Sequence, residues 1–281
     1  MAPNSSGAAR IYENFISRTF TKITNRFEGH FDAQAASFYS NLKNRGYDPD
    51  AHIDVLPDYR LIYVNVPKCA STTIKMILSS LIGWNATSFE HLHKRRYSGL
   101  KSPSQVGLST FYRTATDPQA LRFSFVRNPY ERLVSAWADK FQNKPLVQGD
   151  SFIEKYLRHR PAIDASLPVG AERTLSFADF VTFANATADQ RIDAHWQLQD
   201  DILGMPGIDL DFIGKIEHFE TDIARVLHHI DGYARLRQAT ITPQHRSRHQ
   251  PWPQYYTGAL AKRVYQAYER DFDRLGYARG I

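Results

Sequence analysis

This chain of 281 residues is defined first by what it lacks. It has a single cysteine, Cys69, so no internal disulfide framework supports the fold. That points to a reducing compartment or to indifference to redox state. No run of eighteen apolar residues occurs, and the first residues lack the basic start and apolar centre of a signal peptide. Glycine is missing from Arg60 to Ile82, which excludes the glycine-rich nucleotide-triphosphate loop G-x-x-x-x-G-K-[ST] from that stretch. Acidic residues are outnumbered 29 to 35, for a net charge of +6 and a pI near 9.3. Such an excess suits anionic ligands: nucleotide cofactors, acidic glycans or nucleic acid. Apolar residues make up 42%, enough for the core of one large α/β domain or two small ones. Internal repeats and low-complexity tracts are absent.

The glycine-free stretch is also the most informative one. A β-branched, apolar run from Leu61 to Val66 ends at Pro67. Lys68 and the small residues Cys69, Ala70, Ser71, Thr72 and Thr73 follow, and then Ile74, Ile77, Leu78 and Leu81 fall at helical spacing. This pattern predicts a strand, a tight loop and a helix N-terminus. Backbone N–H groups and the positive end of the helix dipole converge there beside a lysine, an arrangement suited to phosphate or sulfate. A cysteine-phosphatase loop is excluded, because Lys75 stands six residues after Cys69 where that chemistry needs arginine.

A second junction of the same kind follows. Leu121 to Val126 reads as a strand, and Tyr130, Leu133, Val134, Trp137, Ala138 and Phe141 form a helical apolar face. Asn128 suits the N-cap and Pro129 the first helical position. Arg127 stands where strand gives way to helix, with Ser135 inside the helix. Arginine and hydroxyl together make a clamp for a second phosphate, although Arg127 also has Glu131 as a salt-bridge partner and Ser135 also reads as an ordinary helix-surface serine.

Val66-Pro-Lys-Cys-Ala-Ser-Thr-Thr73 resembles the 5′-phosphosulfate loop of sulfotransferases, and Phe123-Ser-Phe-Val-Arg-Asn-Pro-Tyr-Glu-Arg-Leu-Val-Ser-Ala-Trp137 resembles their 3′-phosphate motif. The wording is most similar to carbohydrate sulfotransferases of the chondroitin 4-O-sulfotransferase and HNK-1 sulfotransferase type. The resemblance continues through Asp193-Ala-His195-Trp196, Leu210-Asp-Phe-Ile-Gly-Lys-Ile-Glu217 and Tyr268-Glu-Arg-Asp-Phe272. It covers residues 60 to 277. It implies a single P-loop-like α/β domain with a mostly parallel central sheet flanked by helices.

It further implies 3′-phosphoadenosine 5′-phosphosulfate as donor, its bisphosphate as product, no required metal, a carbohydrate or glycoconjugate acceptor, and no nucleic-acid partner. Lys68 is expected on the phosphosulfate bridge. Backbone amides from Cys69 through Ala70 to Thr73, with the Ser71, Thr72 and Thr73 hydroxyls, are expected around the 5′ end. Arg127 and Ser135 are expected on the 3′-phosphate, with Arg246 or Arg248 closing over the donor. A hydroxyl acceptor needs a general base, for which histidine is suited near neutral pH. His93, then His195, then His91 are the candidates, with Glu90 as a carboxylate substitute. Trp84, Phe89, Tyr97, Phe111 and Tyr112 are available to stack on sugar rings or to fill the core. Two other classes stay open at this point: a P-loop kinase or nucleotide-binding enzyme, and a non-catalytic polyanion binder using His91–Arg96 and His245–His249.

Residues 1–55 are expected to form an N-terminal extension and 56–281 the sulfotransferase domain. Within the extension, Ile11 to Phe27 suits an amphipathic helix whose aromatic stripe packs on the domain or on a second subunit of a homodimer. Residues 85–118 and 144–175 read as loop-rich, Phe212 to Ile216 as a strand, and Tyr256 to Leu275 as one long closing helix. Eukaryotic relatives are anchored Golgi proteins, and this sequence shows no such anchor, so the expectation is a cytoplasmic, bacterial enzyme of polysaccharide biosynthesis.

Overall fold

The computed structural model describes residues 31–84, 92, 95–230 and 250–280. Four strands lie side by side in chain order: β1 (Ile53–Leu56), β2 (Leu61–Val64), β3 (Leu121–Val126) and β4 (Phe212–Lys215). β1 runs antiparallel to β2, while β2–β3 and β3–β4 are parallel, giving the mostly parallel sheet expected. All four residues of β2 are buried, as a central strand covered on both faces requires. Register places Tyr63 opposite Phe123 with the rings stacked 5.0 Å apart. Phe125 lies opposite Gly214, where a Cβ would fall 2.6 Å from the ring, so the glycine makes room for the phenylalanine.

Helices flank this sheet. Those that bear on the site and its cores are α1 (Ser71–Leu81), α2 (Leu108–Thr116), α3 (Pro129–Lys140), α4 (Ser151–Ile163), α5 (Phe177–Thr187), α6 (Gln199–Leu203), α7 (Phe219–His229), α8 (Gly258–Ala267) and α9 (Glu269–Arg274). One core wraps the strands with Ile74, Leu78, Phe111 and Val226. A second, mostly helical core joins Val134, Tyr156, Phe180, Trp196, Val264 and Phe272. The turn from β3 into α3 passes from the first core to the second. Residues 31–44 are helical and pack Phe38 against Phe111 and Tyr112, with Leu42 in the sheet core. β1 runs across residue 55, where the N-terminal extension was expected to end.

Several elements differ from the expectation. Residues 144–175 carry α4, capped by Asp150, whose carboxylate accepts from Phe152 N at 2.8 Å, with Ile153 and Tyr156 buried. Pro161 in its last turns reads as a breaker in sequence. Residues 85–118 contain α2. The closing helix is two helices, α8 and α9, interrupted at Tyr268, whose buried ring donates its hydroxyl to the Trp196 carbonyl. Phe111 is wholly buried in the sheet core, so it packs and does not meet a sugar. Trp84 and Tyr97 stay 45% and 37% exposed. The helix expected over Ile11–Phe27, and any subunit contact through it, lie outside the described residues. Among the described residues no helix is long and apolar enough to cross a membrane.

Candidate active site

β2 and β3 are parallel neighbours, so their C-terminal ends deliver both junctions to one edge of the sheet. After β2 the chain holds Lys68 at φ 69° and Ala70 at φ 56°, left-handed backbone reached without glycine. Each such residue costs about 1–3 kcal/mol and is a mark of functional loops. Ala70 is the N-cap of α1 and supplies no side-chain acceptor to the first-turn N–H groups. A small, uncapped helix start of this kind is a ready anion seat. Cys69 is buried and its thiol is pushed up to about 12 by burial, which keeps it protonated and makes it a lining residue.

Lys68 Nζ lies 3.0 Å from Asp139 Oδ2 of α3, and Lys140 Nζ reaches the same oxygen at 2.9 Å. Burial alone would raise the Asp139 carboxyl, but Lys68 and Lys140 overcome it and hold the group at about 2. Burial also lowers Lys68 below the ordinary lysine value, against the pull of Asp139.

At the second junction Asn128 Oδ1 accepts from Tyr130 N at 2.9 Å and Pro129 opens α3, as the sequence pattern predicts. Arg127 donates through one terminal nitrogen to Lys68 O at 3.3 Å and through the other to Glu131 Oε1 at 2.6 Å. Arg127 therefore has the Glu131 salt bridge that one sequence reading gave it, and it also touches the first loop. Its Nε is buried and has no partner among the described residues, the kind of open donor an anion satisfies. Ser135 is buried on α3, not a surface residue. Arg132, also buried, donates to the carbonyls of Pro67, Gln197 and Ala194 at 3.1, 2.7 and 2.5 Å, tying the first loop to the segment that carries His195.

His195 Nδ1 lies 2.7 Å from Asp193 Oδ1, and Lys155 Nζ is 2.5 Å from the other oxygen of that carboxylate. The Asp193 carboxyl would rise with burial, but His195 and Lys155 hold it at about 2. Burial lowers His195, helped by the charges of Lys140 and Lys68 and opposed by Asp193, so the imidazole is neutral at pH 7. A proton on Nδ1 directed at Asp193 leaves Nε2 with its lone pair, the tautomer of a general base. Arg132, bonded to both Pro67 O and Ala194 O, holds the His195 segment against the first loop. Phe152 walls this corner, edge-on to the His195 ring at 5.1 Å and covered by Lys140 Nζ at 4.3 Å.

Of the residues singled out in the sequence, Lys68, Cys69, Ala70, Ser71, Thr72, Thr73 and Arg127 stand where β2 and β3 end, Ser135 is buried on α3, and His195 is tied to the first loop through Arg132. His91, His93, Glu90, Arg246 and Arg248 lie outside the described residues. Sequence reasoning misses Asp139, Asp193, Gln199 and His52. His52 Nδ1 lies 3.0 Å from Asn65 O, and burial lowers its pKa against the pull of that bond and of Asp48, so it is a second histidine held neutral. Asp193, two residues before His195, was the only one of these with a local signal.

Comparison with known proteins adds the family. Residues 51–278 match a family described as "Sulfotransferase family". The chain is similar to carbohydrate sulfotransferase 11 of Danio rerio, 28% identical over 252 residues, covering 85% of this chain and 71% of that protein. It resembles carbohydrate sulfotransferase 9 of Homo sapiens, 30% identical over 206 residues, covering 70% of this chain and 45% of the relative. Carbohydrate sulfotransferase 10 of Xenopus laevis is 25% identical over 249 residues, 80% of this chain and 67% of that protein. No solved structure matches.

Proposed function

Because the chain belongs to the sulfotransferase family, we propose that it moves the sulfuryl group of 3′-phosphoadenosine 5′-phosphosulfate onto a hydroxyl of a carbohydrate or glycoconjugate. The observation that carries this reading is the meeting of three groups around one loop. Lys68 sits on that left-handed loop, Arg127 leans on it with an open Nε, and Arg132 ties the segment of the Asp193–His195 pair to it. The residues present fit the donor: an uncapped helix start and a lysine for its 5′ end, an arginine with an unsatisfied buried donor for its 3′-phosphate.

When bound, the donor supplies a sulfuryl group whose leaving group is a phosphate. In-line transfer of this kind asks the protein to position groups and neutralise charge. His195 Nε2 takes the acceptor hydroxyl proton as the oxygen bonds to sulfur, and Asp193 keeps that nitrogen free and stabilises the imidazolium that forms. Lys68 neutralises the charge left on the departing phosphate oxygen as the sulfur–oxygen bond breaks. Arg127 holds the far end of the nucleotide. The carbohydrate acceptor is supported by the names of the relatives.

The test is twofold. Calorimetry with 3′-phosphoadenosine 5′-phosphate, beside ATP and AMP, is expected to show selective binding of the bisphosphate. Incubation with donor labelled in its sulfur and a panel of polysaccharides is expected to label a glycan. Binding of ATP in preference to the bisphosphate, with no label transferred, would sink the proposal.

A further inference from the structure

Gln199 opens the short helix α6 and is wholly buried. Its side-chain amide does something unusual for a buried glutamine. Oε1 accepts from Arg127 N at 3.0 Å, and Nε2 donates to Arg127 O at 2.9 Å. The β3–β4 ladder ends at the pair Val126↔Lys215, so Arg127 is the first residue beyond it. The glutamine amide takes the place of the next ladder residue and satisfies both main-chain groups of Arg127. The same Oε1 lies 3.3 Å from Cys69 Sγ in the first loop. One side chain therefore touches both halves of the proposed donor site, at residues far apart in sequence.

Gln199 is itself held from behind. Asp271 of α9 is buried and accepts from Gln199 N at 2.9 Å, from Asp200 N at 2.9 Å and from Gln199 Nε2 at 3.3 Å. The chain of contacts runs from Asp271 through Gln199 to the Arg127 backbone and to Cys69, with every polar atom of the amide engaged. A fully satisfied buried network of this kind fixes geometry as well as contributing stability.

We infer that Gln199, braced by Asp271, is a positioning residue that sets the spacing between the 5′-side loop and Arg127, so that one rigid nucleotide is gripped at both ends. This rests on the donor site proposed above. Its consequence is specific. A ligand that engages only one end has no use for the spacing, whereas a ligand that spans both ends depends on it.

The experiment compares two probes on the full chain: 3′-phosphoadenosine 5′-phosphate, which spans both ends, and 5′-AMP, which engages one. Gln199→Met keeps the volume and removes both bonds to Arg127. The expected result is that bisphosphate affinity falls by about tenfold or more while 5′-AMP affinity moves by less than about threefold, with donor KM rising more than kcat falls. Asp271→Asn removes one acceptor from the brace and shifts the same ratio in the same direction, and it decides the question if Gln199→Met does not fold. Val264→Ala, in the helical core away from the site, lowers the melting temperature and leaves the ratio unchanged. A parallel loss of both ligands, or no loss of either, overturns the positioning role. A wild-type chain that does not prefer the bisphosphate overturns the donor site itself, so the two failures are told apart.

Discussion

The two strand-to-helix junctions share an architecture and use it in opposite ways. Both follow parallel strands, and both open a helix at the same edge of the sheet. At the second, the helix start is fully provided for: Asn128 caps Tyr130 N and Pro129 fills the first position. At the first, Ala70 offers no cap, and Lys68 and Ala70 both sit in left-handed backbone. A helix whose own residues satisfy its N-terminus has little left for a ligand, so the second junction must meet an anion with side chains, chiefly Arg127. One without a cap presents main-chain N–H groups, and there Lys68, paired with Asp139, stands beside the place proposed for the reacting bond. The first junction is thereby suited to chemistry and the second to holding.

The largest expected effect separates those roles. Lys68→Ala removes the charge beside the proposed leaving group and is expected to lower kcat by about 10²–10³ with little change in donor KM. Arg127→Ala is expected to do the reverse. It raises donor KM and weakens bisphosphate binding by roughly 10–100-fold, the worth of one charged hydrogen-bond cluster, with a smaller effect on kcat. Steady-state kinetics with varied donor measure both. If the two variants gave the same split between kcat and KM, the division of labour between the junctions would be wrong.

The proposed base, His195, is tied to the first junction through Arg132, and pH tests its role. Burial lowers His195 below the ordinary histidine value of 6.5, and the neutral form is the one that accepts a proton. Activity is therefore lost as pH falls through a point below that value and is flat above it. The pH profile of kcat/KM measures this, and His195→Gln is expected to remove the acid limb along with most of the rate. A limb that persists in His195→Gln and disappears in His52→Gln would move the role to the histidine on Asn65.

How much of this was legible follows from where the signals lie. Both junctions could be read, because each packs an apolar strand, turn residues and a helical stripe into fewer than twenty-five consecutive positions. β1 could not. It is four residues long and carries Asp54, an acid in a buried strand that reads as a surface residue until Lys75 Nζ is found 3.2 Å away and Arg95 on its other oxygen. α4 was hidden by Pro161, and the break at Tyr268 by an otherwise continuous helical pattern whose buried tyrosine turns to reach Trp196. Within the site, the residues proposed to touch a ligand carried motifs. Of those that hold them, Asp271 lay inside the Tyr268–Phe272 stretch with no role attached to it, while Gln199 and Asp139 had no motif: they act across seventy or so positions of chain, and nothing local marks a glutamine as a stand-in for a strand.

The smallest expected effects are on stability, and they probe the comparison most directly because the signs should be opposite. Asn128→Ala removes a working N-cap and is expected to cost about 1 kcal/mol. For a chain of this size that lowers the melting temperature by roughly 2–4 °C. Ala70→Gly should do the opposite. An alanine in left-handed backbone carries about 1–2 kcal/mol of strain that glycine does not. The extra freedom glycine has when unfolded returns about 0.5–1 kcal/mol of that. A net gain of about 0.5–1 kcal/mol is left, visible as a small rise in melting temperature in the absence of ligand. The same freedom should weaken bisphosphate binding by about two- to fivefold, since a looser loop must be ordered on binding. A glycine that lowered the melting temperature would mean the first loop holds no strain, and the contrast between a strained, open junction and a relaxed, capped one would not stand.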